Sequence, residues 1–227
     1  MRIAEDIDHP PSLTGVCLGL ATVHMRREDF AAAIPILERG LAVGRRGNIF
    51  LYVYSVAAAM GRALAVTGRL AEGLALMSEV VTEAAAKHQP LGHSLRVMWL
   101  AEGYLAADDH ASAWARAQEA LAQARRYREK GQEVWTLHVL GEIARARDPG
   151  AVEEAERFYR EAIAIADTLG MIPALAHCHL GLGELYAQAK RREVAQECLR
   201  LASELFRDIG IASLQERSER LRAALPG

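Results

Sequence analysis

The hydrophobic positions of this chain recur at helical spacing, and the pattern itself repeats about every 40 residues. At five places, 40 or 42 residues apart, an apolar residue is followed by a small one: Leu20-Ala21, Met60-Gly61, Leu100-Ala101, Leu140-Gly141 and Leu182-Gly183. A second column of small residues keeps the same interval: Ala33, Gly73, Ala113, Ala155 and Ala195. A fixed period of this size indicates a solenoid, in which each repeated unit packs on its neighbours.

The two columns belong to two helices of each unit, which we term the first helix and the second helix. Apolar residues three or four positions from the first column complete one helical stripe, as Tyr104 and Tyr186 do in the third and fifth units. The pattern therefore predicts an all-α, right-handed α-solenoid of five helix hairpins. We expect a single domain over residues 1–227, with repeats at about 11–46, 49–90, 92–130, 132–169 and 172–209 and a capping helix at 211–225.

Glycine occupies two kinds of position in this pattern. Gly61, Gly141 and Gly183 lie inside predicted helices, where glycine costs about 1 kcal/mol relative to alanine. We expect each to be kept because a larger side chain would hold the paired helices apart. Other glycines follow long helical runs and are predicted to end helices in the left-handed conformation: Gly131, Gly170 and Gly210.

The amino-acid composition argues against two classes of binding partner, nucleic acid and membrane. The chain has 27 Lys and Arg against 29 Asp and Glu, a formal net charge of −2, which does not favour nucleic acid or an anionic membrane surface. No apolar stretch approaches the roughly 20 residues of a membrane helix. A basic cluster at residues 125–130 could contact phosphate, but cations at a predicted helix C-terminus also favour the helix dipole. Three cysteines without framework spacing suggest a reducing cytoplasm.

Sequence motifs for catalysis and metal binding are absent. The chain contains no G-x-x-x-x-G-K-[ST], no H-E-x-x-H and no C-x-x-C. His177, Cys178 and His179 are adjacent, so on a helix they point about 100° apart and cannot chelate one ion together, although Cys198 could approach Cys178 from the paired helix. We therefore predict a protein that is not an enzyme and that holds no metal and no cofactor.

The repeats resemble the tetratricopeptide repeat, whose pattern W-x2-L-G-x2-Y…A-x3-F…A is best matched by HLGLGELYAQAKRREVAQECLRLASELF. They depart from it because no unit has Trp at the first position and because the period is 40 rather than 34. The segments DHPPSLTGVCLGLATV, AIPILERGLA, LGEIARARDP and GMIPALAHCHLGLGELY resemble the C-terminal arrays of bacterial class III adenylate/guanylate cyclase-like proteins that contain an ATPase domain. This resemblance implies a non-catalytic regulatory or scaffolding module of a bacterial signalling protein.

In tetratricopeptide arrays the first helices line a concave groove, so the resemblance also suggests where a partner binds. Residues following the first column and those one turn away would face the groove: Arg26, Arg62, Met98, Glu102, Leu105, Trp135, His138, Glu142, Arg145 and Glu184. We expect a protein or peptide partner whose basic residues lie near the three glutamates. Equally, these charges could be solvated surface without a partner. The carboxylate clamp of chaperone-binding repeats is not matched.

The sequence is also consistent with two other functions, and it predicts a further contact at the N-terminal hairpin. The groove could instead sense a small ligand and control attached cyclase, ATPase or transcription-regulator domains, or the chain could be an unrecognised helical enzyme. Residues 2–7 resemble the end of a preceding second helix, so we expect the first hairpin, with Leu13 and Val16, to leave an apolar face uncovered. Self-association through that N-terminal hairpin, or cover by an upstream domain, would bury it.

Overall fold

The computed structural model describes residues 9–47, 49–148 and 150–225, and these contain eleven α-helices and no strand. The helices are α1 (Pro10–Arg26), α2 (Phe30–Arg46), α3 (Phe50–Val66), α4 (Leu70–Ala86), α5 (His93–Ala106), α6 (His110–Arg126), α7 (Lys130–Arg147), α8 (Val152–Thr168), α9 (Ile172–Gln188), α10 (Arg192–Asp208) and α11 (Ala212–Ala223). Within this described part of the chain, no helix is both long and apolar enough to cross a bilayer. The predicted helix that would precede α1 lies outside the described residues.

The helices form two compact units, Met1–Ala120 and Leu121–Gly227. In unit 1, α1 pairs with α2 and α3 with α4, while the first helices α1, α3 and α5 pack side by side. In unit 2, α7 pairs with α8 and α9 with α10, and the first helices α7 and α9 are neighbours. The prediction of an all-α array of tetratricopeptide-like hairpins is confirmed, and a single domain spanning residues 1–227 stays a prediction.

Tight turns between helices recur at about half the repeat period. At these turns a backbone N–H donates to the carbonyl five residues earlier, from Asp29 to His24, from Arg69 to Leu64 and from Met171 to Ala166, each at 2.9 Å. Such a bond closes a Schellman-type helix end and requires a left-handed residue just before the donor. That residue is glycine at positions 68, 170 and 210, and a non-glycine at Glu28, His88, Asp108, Arg128 and Lys190.

One predicted helix end is wrong. Gly170 and Gly210 have φ of +64° and +69° and end α8 and α10 as expected. Gly131, by contrast, is the second residue of α7, and the left-handed residue after α6 is Arg128, with φ +57°. Helical spacing continues through residues 125–130, so the pattern gave no sign that α6 ends at Arg126.

The paired helices of unit 1 approach each other so closely that side chains are excluded. A methyl group at Gly73 would lie 2.3 Å from the Gly61 carbonyl oxygen and 2.7 Å from the Ala65 nitrogen. These are backbone atoms, which cannot move aside as a side chain can. In unit 2, a methyl group at Gly183 would lie 2.6 Å from the Leu199 side chain, and one at Gly141 would lie 2.7 Å from the Tyr159 ring.

The small-residue columns form the core of both units. The following repeat positions are buried: Ala21, Ala33, Met60, Gly61, Gly73, Leu100, Ala101, Ala113, Leu140, Gly141, Ala155, Leu182, Gly183, Tyr186 and Ala195. Tyr104 is half-buried, and Leu20 in the first repeat is 37% exposed. At the C-terminal end, α11 packs on α10 and buries Leu214 against Phe206 and Leu199.

Candidate interaction surfaces of the two units

The residues predicted to line a groove lie on the first helices of each unit, and we term this the groove face: α1, α3 and α5 in unit 1, and α7 and α9 in unit 2. In unit 1, Arg62 and Glu102 form a bidentate ion pair, in which Arg62 Nε donates to Oε2 and Nη2 donates to Oε1 at 3.4 Å. Only 14% and 19% of these two side chains are exposed. The Arg62 guanidinium also lies over the Phe30 ring, 5.6 Å from its centroid.

The half-buried Arg26 places a second guanidinium near this pair. We term Arg26, Arg62 and Glu102 the arginine cluster. Burial lowers the pKa of Arg26 to about 9, Glu102 opposes that shift and the nearby charge of Arg62 adds to it. Arg62 Nη1 is buried and has no hydrogen-bond partner.

In unit 2, four side chains of alternating charge are connected by ion pairs, and we term them the ion chain: Glu142, Arg145, Glu184 and Arg217. Arg145 Nη2 lies 2.6 Å from Glu142 Oε2 and 3.1 Å from Glu184 Oε2. Glu184 Oε1 in turn accepts from Arg217 Nη2 of α11 at 2.7 Å. The hydroxyl of Tyr159 donates to Glu142 Oε1 at 2.5 Å. The four charges of the ion chain therefore balance.

Burial and ion pairing shift the pKa values of Glu142 and Arg145 in opposite directions. Burial alone would raise the pKa of Glu142, but the charges of Arg145 and His138 and the Tyr159 hydrogen bond bring that pKa below its usual value. The pKa of Arg145 is raised, because its pairing with Glu142 and Glu184 outweighs burial. Burial and the Glu142 carboxylate together raise the pKa of Tyr159.

Pairing within the chain corrects the picture of an acidic stripe. The sequence suggested that Glu102, Glu142 and Glu184 offer three negative charges to a basic ligand. Instead, Glu102 pairs with Arg62, and Glu142 and Glu184 share Arg145. Each carboxylate is thus neutralised within its own unit.

An aromatic cluster lies beside the ion chain of unit 2, and we define it as Trp135 and His138 of α7, His177 of α9 and Phe206 of the second helix α10. Their rings meet edge to face: Trp135 and His177 at 5.5 Å between centroids, His138 and His177 at 5.8 Å, and His177 and Phe206 at 5.2 Å. Phe206 is buried, and the other three side chains are half-buried and reach the surface. Trp135 and His138 were sequence candidates, whereas His177 was considered only as part of a metal triplet. Its position, 42 residues after Trp135, gives the same place in the next repeat.

The other residues that the sequence suggested for partner binding or metal binding are buried or half-buried. Met98 is fully buried and packs in the core of unit 1, and Leu105 is half-buried. Cys178 and Cys198 are both buried; burial raises the pKa of the Cys198 thiol to about 11 and that of Cys178 further. Among the described residues, no three His, Cys, Asp or Glu side chains are grouped so as to hold a metal ion.

Two residues of the basic cluster at 125–130 form ion pairs with carboxylates of unit 2. Arg125 lies 3.0 Å from Glu133 and 2.5 Å from Glu161, and Lys130 lies 2.6 Å from Glu133. Glu133 is itself buried, with 5% of its side chain exposed, so it needs these cations to remain charged. The pairs give Arg125 and Lys130 a structural role.

Comparison with known proteins finds similarity of fold but no relative by sequence. No protein-family profile and no curated protein matches the sequence. The structure is similar to BtubC from P. vanneervenii, with a TM-score of 0.64 and 16% identity over 92% of this chain and 86% of that one. It is also similar to a signal-transduction ATPase with a tetratricopeptide repeat sensor from Pyrococcus horikoshii, with a TM-score of 0.66 and 16% identity over 91% of this chain and 31% of that one. A third similar structure, the apo form of RapI, has a TM-score of 0.59 and 14% identity over 94% of this chain and 70% of that one. The fold is that of a tetratricopeptide-like array.

Proposed function

We propose that this chain is a non-catalytic interaction module that binds a polypeptide on its groove face. The observation that carries the proposal is the aromatic cluster of unit 2, where the half-buried Trp135 contacts the rings of His138 and His177. Trp is enriched among the residues that dominate binding energy, because it buries a large area at a small entropic cost. The neighbouring ion chain is neutral, so it would orient a partner without demanding a charge of one sign.

We further propose that the module belongs to a bacterial, cytoplasmic signalling or regulatory protein. Its support is the sequence resemblance to cyclase-associated arrays, together with a fold shared with the sensor-bearing ATPase of Pyrococcus horikoshii. The tetratricopeptide repeats of that ATPase form a sensor, which favours one alternative: a domain that binds a ligand and controls attached catalytic or transcription-regulator domains. A small molecule that copurifies with the chain would favour the alternative.

The test uses Trp135→Ala against a matched aromatic outside the groove face. Polypeptides would first be captured from an extract of the source cells, and the affinity of one captured segment would then be measured by calorimetry. Trp135→Ala should weaken binding by about tenfold or more. Tyr127 lies in the turn after α6 with an exposed side chain, so Tyr127→Ala should leave the affinity unchanged. Equal losses, or no loss in either variant, would contradict the proposed surface.

Self-association through the first hairpin stays a prediction, and the burial of α1 changes which residues would carry it. Leu13, named from the sequence, is only 6% exposed, so replacing it would disturb the core. Leu20 and Val23, at 37% and 55% exposed, are the apolar residues of α1 that a second copy could cover.

A further inference from the structure

One side of α1 is apolar and reaches the surface, and we term it the α1 face. The other side of this helix packs on α2 and α3. The members of the α1 face recur every three or four residues, which places them on one side of the helix: Val16, Gly19, Leu20 and Val23. Leu20 and Val23 are 37% and 55% exposed, and residues 10–23 contain no charged side chain. An exposed helix face normally carries polar or charged residues, so an apolar one is typical of a contact surface.

Gly19, at the middle of the α1 face, is not explained by packing within the chain. Most other glycines inside the described helices lie so close to a neighbouring helix that an added methyl group would come within 3.0 Å of it, as at Gly40 and Gly103. A methyl group at Gly19 would meet no atom within 4 Å. Glycine destabilises a helix interior relative to alanine, and what it offers in packing is the close approach of another backbone. Gly19 therefore indicates that a helix from outside the chain packs here.

We propose that two copies of this chain associate through the α1 face, with their α1 helices antiparallel across a two-fold axis at Gly19. Val16 of each copy then lies level with Val23 of the other, because these two positions are equally far from the midpoint between residues 19 and 20. The two Gly19 residues meet at the crossing point, where the missing side chains let the two backbones approach. The same surface is used by both copies, as a two-fold contact requires.

A second copy fits the α1 face because the face is uncharged. Across a two-fold axis, a charge at the centre of the contact would face the same charge of the other copy, and like charges that meet in an interface repel each other. The α1 face avoids this repulsion along its whole length. A single pair of helices buries less than the roughly 1,600 Å² of a standard stable interface, so the dimer is weak. This inference does not depend on polypeptide binding, and it gives the predicted self-association a defined orientation and symmetry.

The test is a charge exchange at Gly19, with the dissociation constant of the dimer measured by sedimentation over a series of chain concentrations. The single chain has room for the new side chain of Gly19→Glu or Gly19→Lys. Each variant alone should dimerise at least about tenfold more weakly than the wild type, because two like charges meet at the axis. A mixture of the two variants should form a heterodimer that is at least about tenfold tighter than either variant alone, because opposite charges then meet.

The mixture also guards against misfolding, because damaged chains would not regain association. Val23→Glu should weaken the dimer, whereas the matched control Val194→Glu, at a valine of α10 that is 45% exposed, should leave it unchanged. A wild type that stays monomeric at every concentration would overturn the proposal and leave the α1 face to another occupant, such as an upstream domain. Association that the mixture does not restore would overturn it too, because the contact would then not be symmetric about Gly19.

Discussion

Gly73 and Gly19 are both glycines inside helices of unit 1, but their surroundings are opposite. Gly73 faces the backbone of α3 at a distance that leaves no room for a methyl group, whereas a methyl group at Gly19 would meet no atom within 4 Å. Gly73→Ala should therefore lower the free energy of unfolding by about 1–3 kcal/mol through overpacking. Gly19→Ala should raise it by about 1 kcal/mol through helix propensity.

Urea unfolding followed by circular dichroism measures both changes on the same chain. A Gly73→Ala variant as stable as Gly19→Ala would mean that the helices of this hairpin are not in backbone contact.

At the residue scale, the sequence predicted where small side chains are needed but not how buried charges are satisfied. Repeated small residues at a fixed period mark sites of close packing directly. Arg96 carries no such mark, yet it is fully buried and donates to the carbonyls of Leu91 at 2.6 Å and Gln89 at 2.7 Å. It thereby holds the connection between α4 and α5, a role that depends on a loop conformation that periodicity does not describe.

At the level of elements, Arg145 connects two first helices of unit 2 by pairing with Glu142 on α7 and with Glu184 on α9. Only 16% of its side chain is exposed, so its removal leaves the partly buried Glu142 without its cation. Arg145→Met should lower the free energy of unfolding at neutral pH by about 3 kcal/mol. Arg220→Gln, which breaks an exposed pair with Glu216 within α11, should change it by about 0.5 kcal/mol or less.

The pH dependence of the Arg145 effect has a defined sign. The pKa of Glu142 is lowered in the folded chain, so its contribution to stability is fully present above its unfolded pKa of about 4.3 and is lost as pH falls through the folded value. The difference between wild type and Arg145→Met should therefore shrink as the pH falls below about 4. A difference that stays constant from neutral pH into acid would show that the ion chain does not carry this stability.

The helices themselves were largely predictable, because two columns of small residues with one period locate both helices of each hairpin. Their ends were less predictable. Arg128 adopts the left-handed conformation that usually favours glycine, so nothing in the local sequence marks the end of α6. Gly131, which looked like such an end, lies in the first turn of the next helix.

At the scale of the whole molecule, the sequence predicted a candidate surface but not how its charges pair. The charged residues of the column after the small residues lie on the first helices, and each forms an ion pair on its own unit. Arg62 and Glu102 are separated by one repeat period, and Glu142 and Glu184 are connected by Arg145 one turn along. The same periodicity that reveals a surface thus also brings its charges together, and opposite charges at equivalent positions of adjacent repeats should be expected to neutralise each other.

The central claim is that the first helices form the binding face, and hydrogen–deuterium exchange tests it directly. Exchange would be compared for the free chain and for the chain saturated with its captured polypeptide. The account predicts added protection at the surface residues of α7 and α9, above all around Trp135 and His177, with smaller changes in the second helices α8 and α10. Protection confined to the second helices or to the turns would contradict it.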